Sequence, residues 1–191
     1  YIPSDFPTIE NAIAVLNSIG VSGNVEFILD TTLYVENPVT FGSFHGAGLY
    51  DVTIKPAPSI DATIIFISTL SDGKGFTFNG AKRIAFDGTN GRLTLQFDSS
   101  STFPTNDAFG ATVFITGGSE NISFNKTHIK GRVNNSIWMN QTDGRPAVFL
   151  WASAGDGVGS KNITFNNCTI TNATYAFKML QYSGTLAYTV D

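Results

Sequence analysis

Apolar residues in this chain fall on alternate positions within short runs, and the runs return in the same order. Lys82 to Gly88 (KRIAFDG), Glu120 to Lys126 (ENISFNK) and Lys161 to Asn167 (KNITFNN) align without a gap. Each carries two apolar residues one position apart: Ile84 and Phe86, Ile122 and Phe124, Ile163 and Phe165. Asp51 to Lys55 (DVTIK) is a weaker fourth member, with Val52 and Ile54. A period of two marks a strand with one face turned to a core. The starts at Val52, Ile84, Ile122 and Ile163 lie 32, 38 and 41 residues apart, a repeat whose period varies.

Each member has an apolar strand before it and another after it. Val39–Phe41, Phe76–Phe78, Val113–Ile115 and Val148–Leu150 precede; Thr63–Ile67, Leu93–Phe97, Thr127–Ile129 and Cys168–Ile170 follow. Three strands per unit in constant order predict a triangular solenoid of about four turns, in which each strand pairs with its counterpart one turn away. A β-sandwich does not require triplets. A propeller blade of roughly 40–45 residues matches the period but needs four strands. The expected class is all-β: a right-handed parallel β-helix with an N-terminal amphipathic capping helix.

That helix is read from Thr8 to Ser18 (TIENAIAVLNS). Ile9, Ala12, Ile13, Leu16 and Ile19 share one face, Thr8 is the N-cap and Gly20 the stop. A helix this short needs a surface to lie on. The open end of the first turn offers one, because uncovered strand edges invite association. Residues 1–24 are therefore expected to form the cap, with its helix at about 8–19, and residues 25–191 the turns. The chain starts at Tyr1 without an initiator Met and stops in strand-like sequence, so further turns or domains of the same chain are expected beyond 191.

Composition fits this reading. Hydrophobic residues make up 42 % and charged residues only 14 %, with 19 Gly, and 16 Phe against 2 Met; such a mixture suits short strands and many corners. The net charge of −4 is scattered and no basic stripe stands out, so no nucleic-acid partner is expected. No apolar run approaches the roughly 18 residues of a membrane span. The single Cys168 excludes an internal disulfide and a four-thiolate zinc site.

The helix, the strand Val25–Leu29 behind it and the run from Asn162 (N-I-T-F-N-N-C-T-I-T-N) resemble secreted bacterial right-handed β-helix repeat proteins of the pectin-lyase-like superfamily. Within that group the chain looks most like large cell-surface proteins exported with a C-terminal sorting domain. The resemblance covers nearly the whole chain. It implies a fold and an extracellular, secreted or cell-surface location, but no single activity, since the superfamily holds lyases, glycosidases, adhesins and tailspikes alike.

Candidate chemistry is sparse. Asp87, Asn125 and Asn166 follow the central Phe in three consecutive turns and are expected to form a structural ladder of stacked side chains. Cys168 aligns with Thr127 at an inward position and reads as a small buried residue. His45 and His128 stand outside any metal-ligand spacing. Lys126, His128, Lys130 and Arg132 cluster in sequence without an assignable acidic partner. Gly155 to Lys161 (GDGVGSK) lacks the spacing of a phosphate loop and reads as a corner. Seven N-x-[ST] triplets, beginning at Asn121, Asn125, Asn134, Asn140, Asn162, Asn167 and Asn172, are read as by-products of an Asn- and Thr-rich chain.

Two long insertions, 98–110 and 131–146, both fall between the third strand of one unit and the opening strand of the next, and so share a corner. They carry Phe103, Asp107, Phe109, Arg132, Trp138, Asp143 and Arg145. A flat apolar ring beside directional polar groups suits a sugar, and the ligand-binding residues expected are Trp138, Asp107, Arg132, Asp143 and Arg145. The competing reading folds Trp138 back over the solenoid flank.

An enzyme of this fold needs paired carboxylates or a base beside a metal site. No two carboxylates are adjacent or two apart on any strand, and the central outward positions Thr53, Ala85, Ser123 and Thr164 are small and neutral. No catalytic residue, metal or cofactor is assigned. The expected function is a non-catalytic structural or adhesive β-helix, with cell-surface or environmental polysaccharide as its partner. The alternative is a polysaccharide lyase or glycoside hydrolase whose active site lies mostly outside this segment.

Overall fold

A computed structural model describes residues 1–67, 73–98, 110–131, 146–152, 159–173 and 175–181. After helix α1 (Ile9–Ile19) the chain winds through five turns of three strands. The first turn is β1 (Val25–Leu29), β2 (Leu33–Glu36) and β3 (Val39–Phe41); the second is β4 (Val52–Pro56), β5 (Ala62–Phe66) and β6 (Lys74–Asn79). The third is β7 (Lys82–Asp87), β8 (Leu93–Phe97) and β9 (Ala111–Thr116), and the fourth β10 (Glu120–Asn125), β11 (Thr127–Lys130) and β12 (Pro146–Ala152). The fifth is β13 (Lys161–Asn166), β14 (Thr169–Thr171) and β15 (Tyr175–Gln181).

Like strands of successive turns pair in parallel, giving three five-stranded sheets: β1-β4-β7-β10-β13, β2-β5-β8-β11-β14 and β3-β6-β9-β12-β15. This is the right-handed parallel β-helix with three strands per turn. There are five turns where the repeat gave about four. The first, opening at Val25, escapes the alignment because VEFIL shares the alternation but lacks the polar corner signature.

Strict register stacks like on like. Phe86 pairs with Phe124 and Phe124 with Phe165, and these rings stack at 5.1 and 5.0 Å between centroids. Phe41 stacks on Phe78 at 5.0 Å, and Phe86 meets Phe76 at a tilt of 57°, 4.9 Å away. The aromatic columns of two sheets thus interlock into one core. Ring pairs of this kind add about 0.5–1.5 kcal/mol each beyond their burial.

The cap is built from groups that imitate a strand. Ile2 donates from its amide to Ile28 O (2.9 Å) and accepts from Asp30 N (3.0 Å), covering the edge of β1. Asn17 covers β3 in the same way: its Nδ2 donates to Thr40 O at 2.7 Å and its Oδ1 accepts from Gly42 N at 3.0 Å. Thr8 Oγ1 accepts from Asn11 N at 3.0 Å as N-cap, and the Gly20 amide closes the helix on Leu16 O. Ile9, Ala12, Ile13 and Leu16 are buried, but Ile19, grouped with them from the sequence, is 72 % exposed. The helix ends at Ile19, and that residue has turned past the contact face.

Glu36 occupies an inward register position where the next turns place Phe66 and then Phe97. A carboxylate stands there because the helix ends above it: Glu36 Oε1 and Oε2 accept from Ile9 N (2.9 Å) and Glu10 N (3.1 Å), two amides left free by helix geometry. Burial pushes its pKa up; the two amide bonds oppose this, and the Glu10 carboxylate adds to it. A carboxyl whose folded pKa exceeds its unfolded value contributes stability below the unfolded pKa, and loses it as pH rises through the folded one. Wild type is therefore expected to gain thermal stability relative to Glu36→Gln as pH falls from 7 toward 4.5, in paired melting curves. The opposite trend would mean that the amide bonds outweigh burial.

No helix among the described residues is long and apolar enough to cross a membrane.

Candidate functional site

With the core filled, chemistry is confined to the outer faces and corners. The first sheet turns Thr53, Ala85, Ser123 and Thr164 outward in register. These small side chains floor a groove of about 430 Å³ that runs along the solenoid axis. One wall consists of Asp51, Arg83, Asn121 and Asn162. Arg83 Nη2 holds Asp51 Oδ1 at 2.7 Å, while its Nε–H is buried without an acceptor. Asn162 Nδ2 donates to Asn121 Oδ1 at 3.0 Å. Hydroxyls, amides and one ion pair can hydrogen-bond a polar chain.

Arg83, Asn121 and Asn162 share a backbone peculiarity: φ of 56°, 57° and 55° at the same register position in three turns. Asn enters this left-handed region more readily than other non-Gly residues. Asn167 and Asn172, at φ 51° and 55°, do so at later corners. Four of the seven N-x-[ST] asparagines thus sit where the backbone demands a left-handed residue. Asn134 and Asn140 lie outside the described residues.

Beyond the floor, Asn125 Nδ2 donates to Asp87 Oδ1 (3.0 Å) and Asn166 Nδ2 donates to Asn125 Oδ1 (3.2 Å). Thr89 joins through its amide, which donates to Asp87 Oδ1 at 3.0 Å. Lys55, one turn earlier, pairs instead with Glu26 at 2.7 Å.

The third sheet has an outward feature that the alternation alone does not announce. Phe114 on β9 and Phe149 and Trp151 on β12 form an aromatic group, with Phe114 edge-on to Phe149 at 5.4 Å and Phe149 stacked near Trp151 at 6.5 Å. Lys74 Nζ lies 4.7 Å from the Phe114 ring centre, and Lys178 Nζ lies 5.3 Å from that of Phe149. The signal was present in the sequence as VFI and VFLW, where the aromatic residue takes the outward place.

On the second sheet, Arg92, His128 and Lys130 converge, although the sequence shows no basic stripe. His128 pairs in register with Thr94 and Thr169, and its Nε2 lies 2.8 Å from Thr171 Oγ1. Cys168 is half-buried, with Sγ 3.3 Å from Phe124 O, and burial pushes its thiol pKa up, which disfavours the thiolate. Among the described residues no three of His, Cys, Asp and Glu gather as metal ligands.

The expected ligand-binding residues Asp107, Arg132, Trp138, Asp143 and Arg145 lie outside the described residues, as do Phe103, Phe109 and most of the corner from Gly155. The ends of the two insertions do not. Asp98 and Gly110 close β8 and open β9; Gly131 and Pro146 close β11 and open β12. Because β8 pairs with β11 and β9 with β12, the two insertions leave from one corner, one turn apart. In comparisons with known proteins, no family model, curated protein or solved structure matches this chain.

Proposed function

We propose that this chain is a non-catalytic structural or adhesive β-helix that acts outside the cell. It belongs with the secreted bacterial β-helix repeat proteins of pectin-lyase-like type that its cap and corners resemble. Its glycan contacts are made by the insertions 98–110 and 131–146 through Trp138, Asp107, Arg132, Asp143 and Arg145. One observation carries the reading: five turns in unbroken parallel register place the roots of both insertions on a single edge. A stack of this kind supplies stiffness and length with few charges, and presents whatever leaves its corner at fixed spacing.

Glycan-array binding by the full chain should be lost on Trp138→Ala while the melting curve stays unchanged. Incubation with acidic and neutral polysaccharides, with and without calcium, should release no new reducing or unsaturated ends. Turnover by this chain would overturn the proposal in favour of a lyase or hydrolase, and binding indifferent to Trp138 would move recognition away from the insertions.

A further inference from the structure

Among the described residues, most cations are engaged. Lys82 and Lys161 share Glu120, Lys55 holds Glu26, Arg83 holds Asp51, and Lys74 and Lys178 lie over aromatic rings. Lys126 and Lys130 have no such partner among the described residues. They flank His128 on β11, with Lys126 at the corner before the strand and His128 and Lys130 on its outward side. Arg92 stands one turn below at the entrance to β8, where it pairs with Asp61 at 3.1 Å. A chain with net charge −4 therefore carries two unpaired lysines along one strand of this sheet, with the Arg92–Asp61 pair one turn below, neighbouring strands lying about 4.8 Å apart.

We propose that this flank of the second sheet binds an anionic polysaccharide, held by Arg92, Lys126 and Lys130 and gripped more tightly when His128 is protonated. The spread of cations over two turns favours a polymer over a single small ion. Threonine hydroxyls beside them, on exposed Thr169 and Thr171, both donate and accept, as sugar hydroxyls require. The described outward residues of this sheet include no Phe, Tyr or Trp ring on which a nucleic-acid base would stack. None of the residues of this site belongs to the insertions, so either proposal can fail without the other.

His128 makes the grip depend on pH. Partial burial lowers its pKa, and the positive charges of Lys130 and Arg92 lower it further. It is therefore neutral near pH 7 and gains charge on acidification. The groups around it are Lys126 and Lys130 on either side along its own strand, Arg92 with its partner Asp61 from the preceding turns, and the neutral Thr94, Thr169 and Thr171. A bound polyanion offsets the cations, so by linkage it raises the His128 pKa and is itself bound more tightly at low pH, by the same factor.

Dextran sulfate, which stays ionised throughout, is the probe, with uncharged dextran and a single-stranded DNA oligonucleotide as comparisons at pH 7.5 and 5.5. Dextran sulfate should bind and dextran should not, and acidification should tighten binding severalfold. His128→Gln should abolish that gain. Lys130→Ala should reduce the slope of log affinity against log salt by about one, whereas Lys161→Ala, the same charge loss on the neighbouring sheet, should leave it unchanged. The chain has two histidines, so ring resonances give a second reading: dextran sulfate should raise the pKa of His128 and not that of His45. Equal losses in Lys130→Ala and Lys161→Ala would overturn the site. A pH gain that survives in His128→Gln would overturn the switch. Oligonucleotide binding as tight as dextran sulfate would overturn the assignment to polysaccharide.

Discussion

Phe86→Ala should cost about 3–5 kcal/mol, the range for removing a fully buried ring from a packed core. Phe86 has no exposed surface and touches rings from three turns: Phe41 at 6.0 Å, Phe76 at 4.9 Å, Phe78 at 6.0 Å and Phe124 at 5.1 Å. Its loss leaves a void bounded by other large rings, which cannot collapse without breaking the register of their own strands. In thermal melts the midpoint should fall by roughly 10 °C. Phe165→Ala removes a ring of the same column that is only partly buried, in the last described turn, and should cost distinctly less. Because turns of a solenoid are stabilised by their neighbours, the Phe86 variant should also split the melt into two steps, with the flanking turns separated. A loss below about 1 kcal/mol, with one sharp transition, would show that the interlocked columns are not the source of cohesion.

Gly20→Ala should be the most damaging single-methyl change in the cap, at about 2–4 kcal/mol. Gly20 closes α1 with φ 73° and ψ −158°, a region in which an L side chain is strained. A Cβ there would also overlap the carbonyl of His45. That carbonyl already accepts from Val21 N at 2.9 Å, so it cannot retreat without losing a bond. Gly46 reciprocates: its φ is 82°, and a Cβ on it would strike the Val21 carbonyl. Two backbones meet here with no room for any side chain. Gly23 is the control, since a Cβ there meets nothing within 4 Å, and Gly23→Ala should change stability by less than about 0.5 kcal/mol. Hydrogen exchange should accelerate in α1 and in the amides of residues 42–46 for Gly20→Ala alone. If both variants exchange alike, the close approach is not what seats the helix.

These two sites mark the limits of what could be read in the chain. Ile84, Phe86, Ile122, Phe124, Ile163 and Phe165 announce themselves because a two-residue period leaves no choice of face, and register then fixes which ring stacks on which. Glu36 is invisible to the same logic. It holds an inward position, but a carboxylate reads as solvent-facing until the helix terminus above it is known. Arg83 hides a left-handed corner for a similar reason: Asn121 and Asn162 advertise that geometry and Arg does not. The basic flank was dispersed in sequence, with Arg92 and Lys130 more than thirty residues apart, and only the register brings them together. Trp138 and its neighbours belong to insertions whose sequence carries no periodicity, so nothing in the chain constrained their placement beyond the corner from which they leave.

The side-chain amide of Asn17 has a consequence for how the fold grows. By donating to Thr40 and accepting from Gly42 it consumes the bonds that another strand would have used, and Ile2 does the same for β1. Winding is thereby made vectorial. The helix precedes the first turn in the chain, so the earliest surface on which a new turn can template itself has one face already quenched. Mispairing that would run the stack backward, or join two stacks head to head, finds the groups of Ile28, Asp30, Thr40 and Gly42 already bonded.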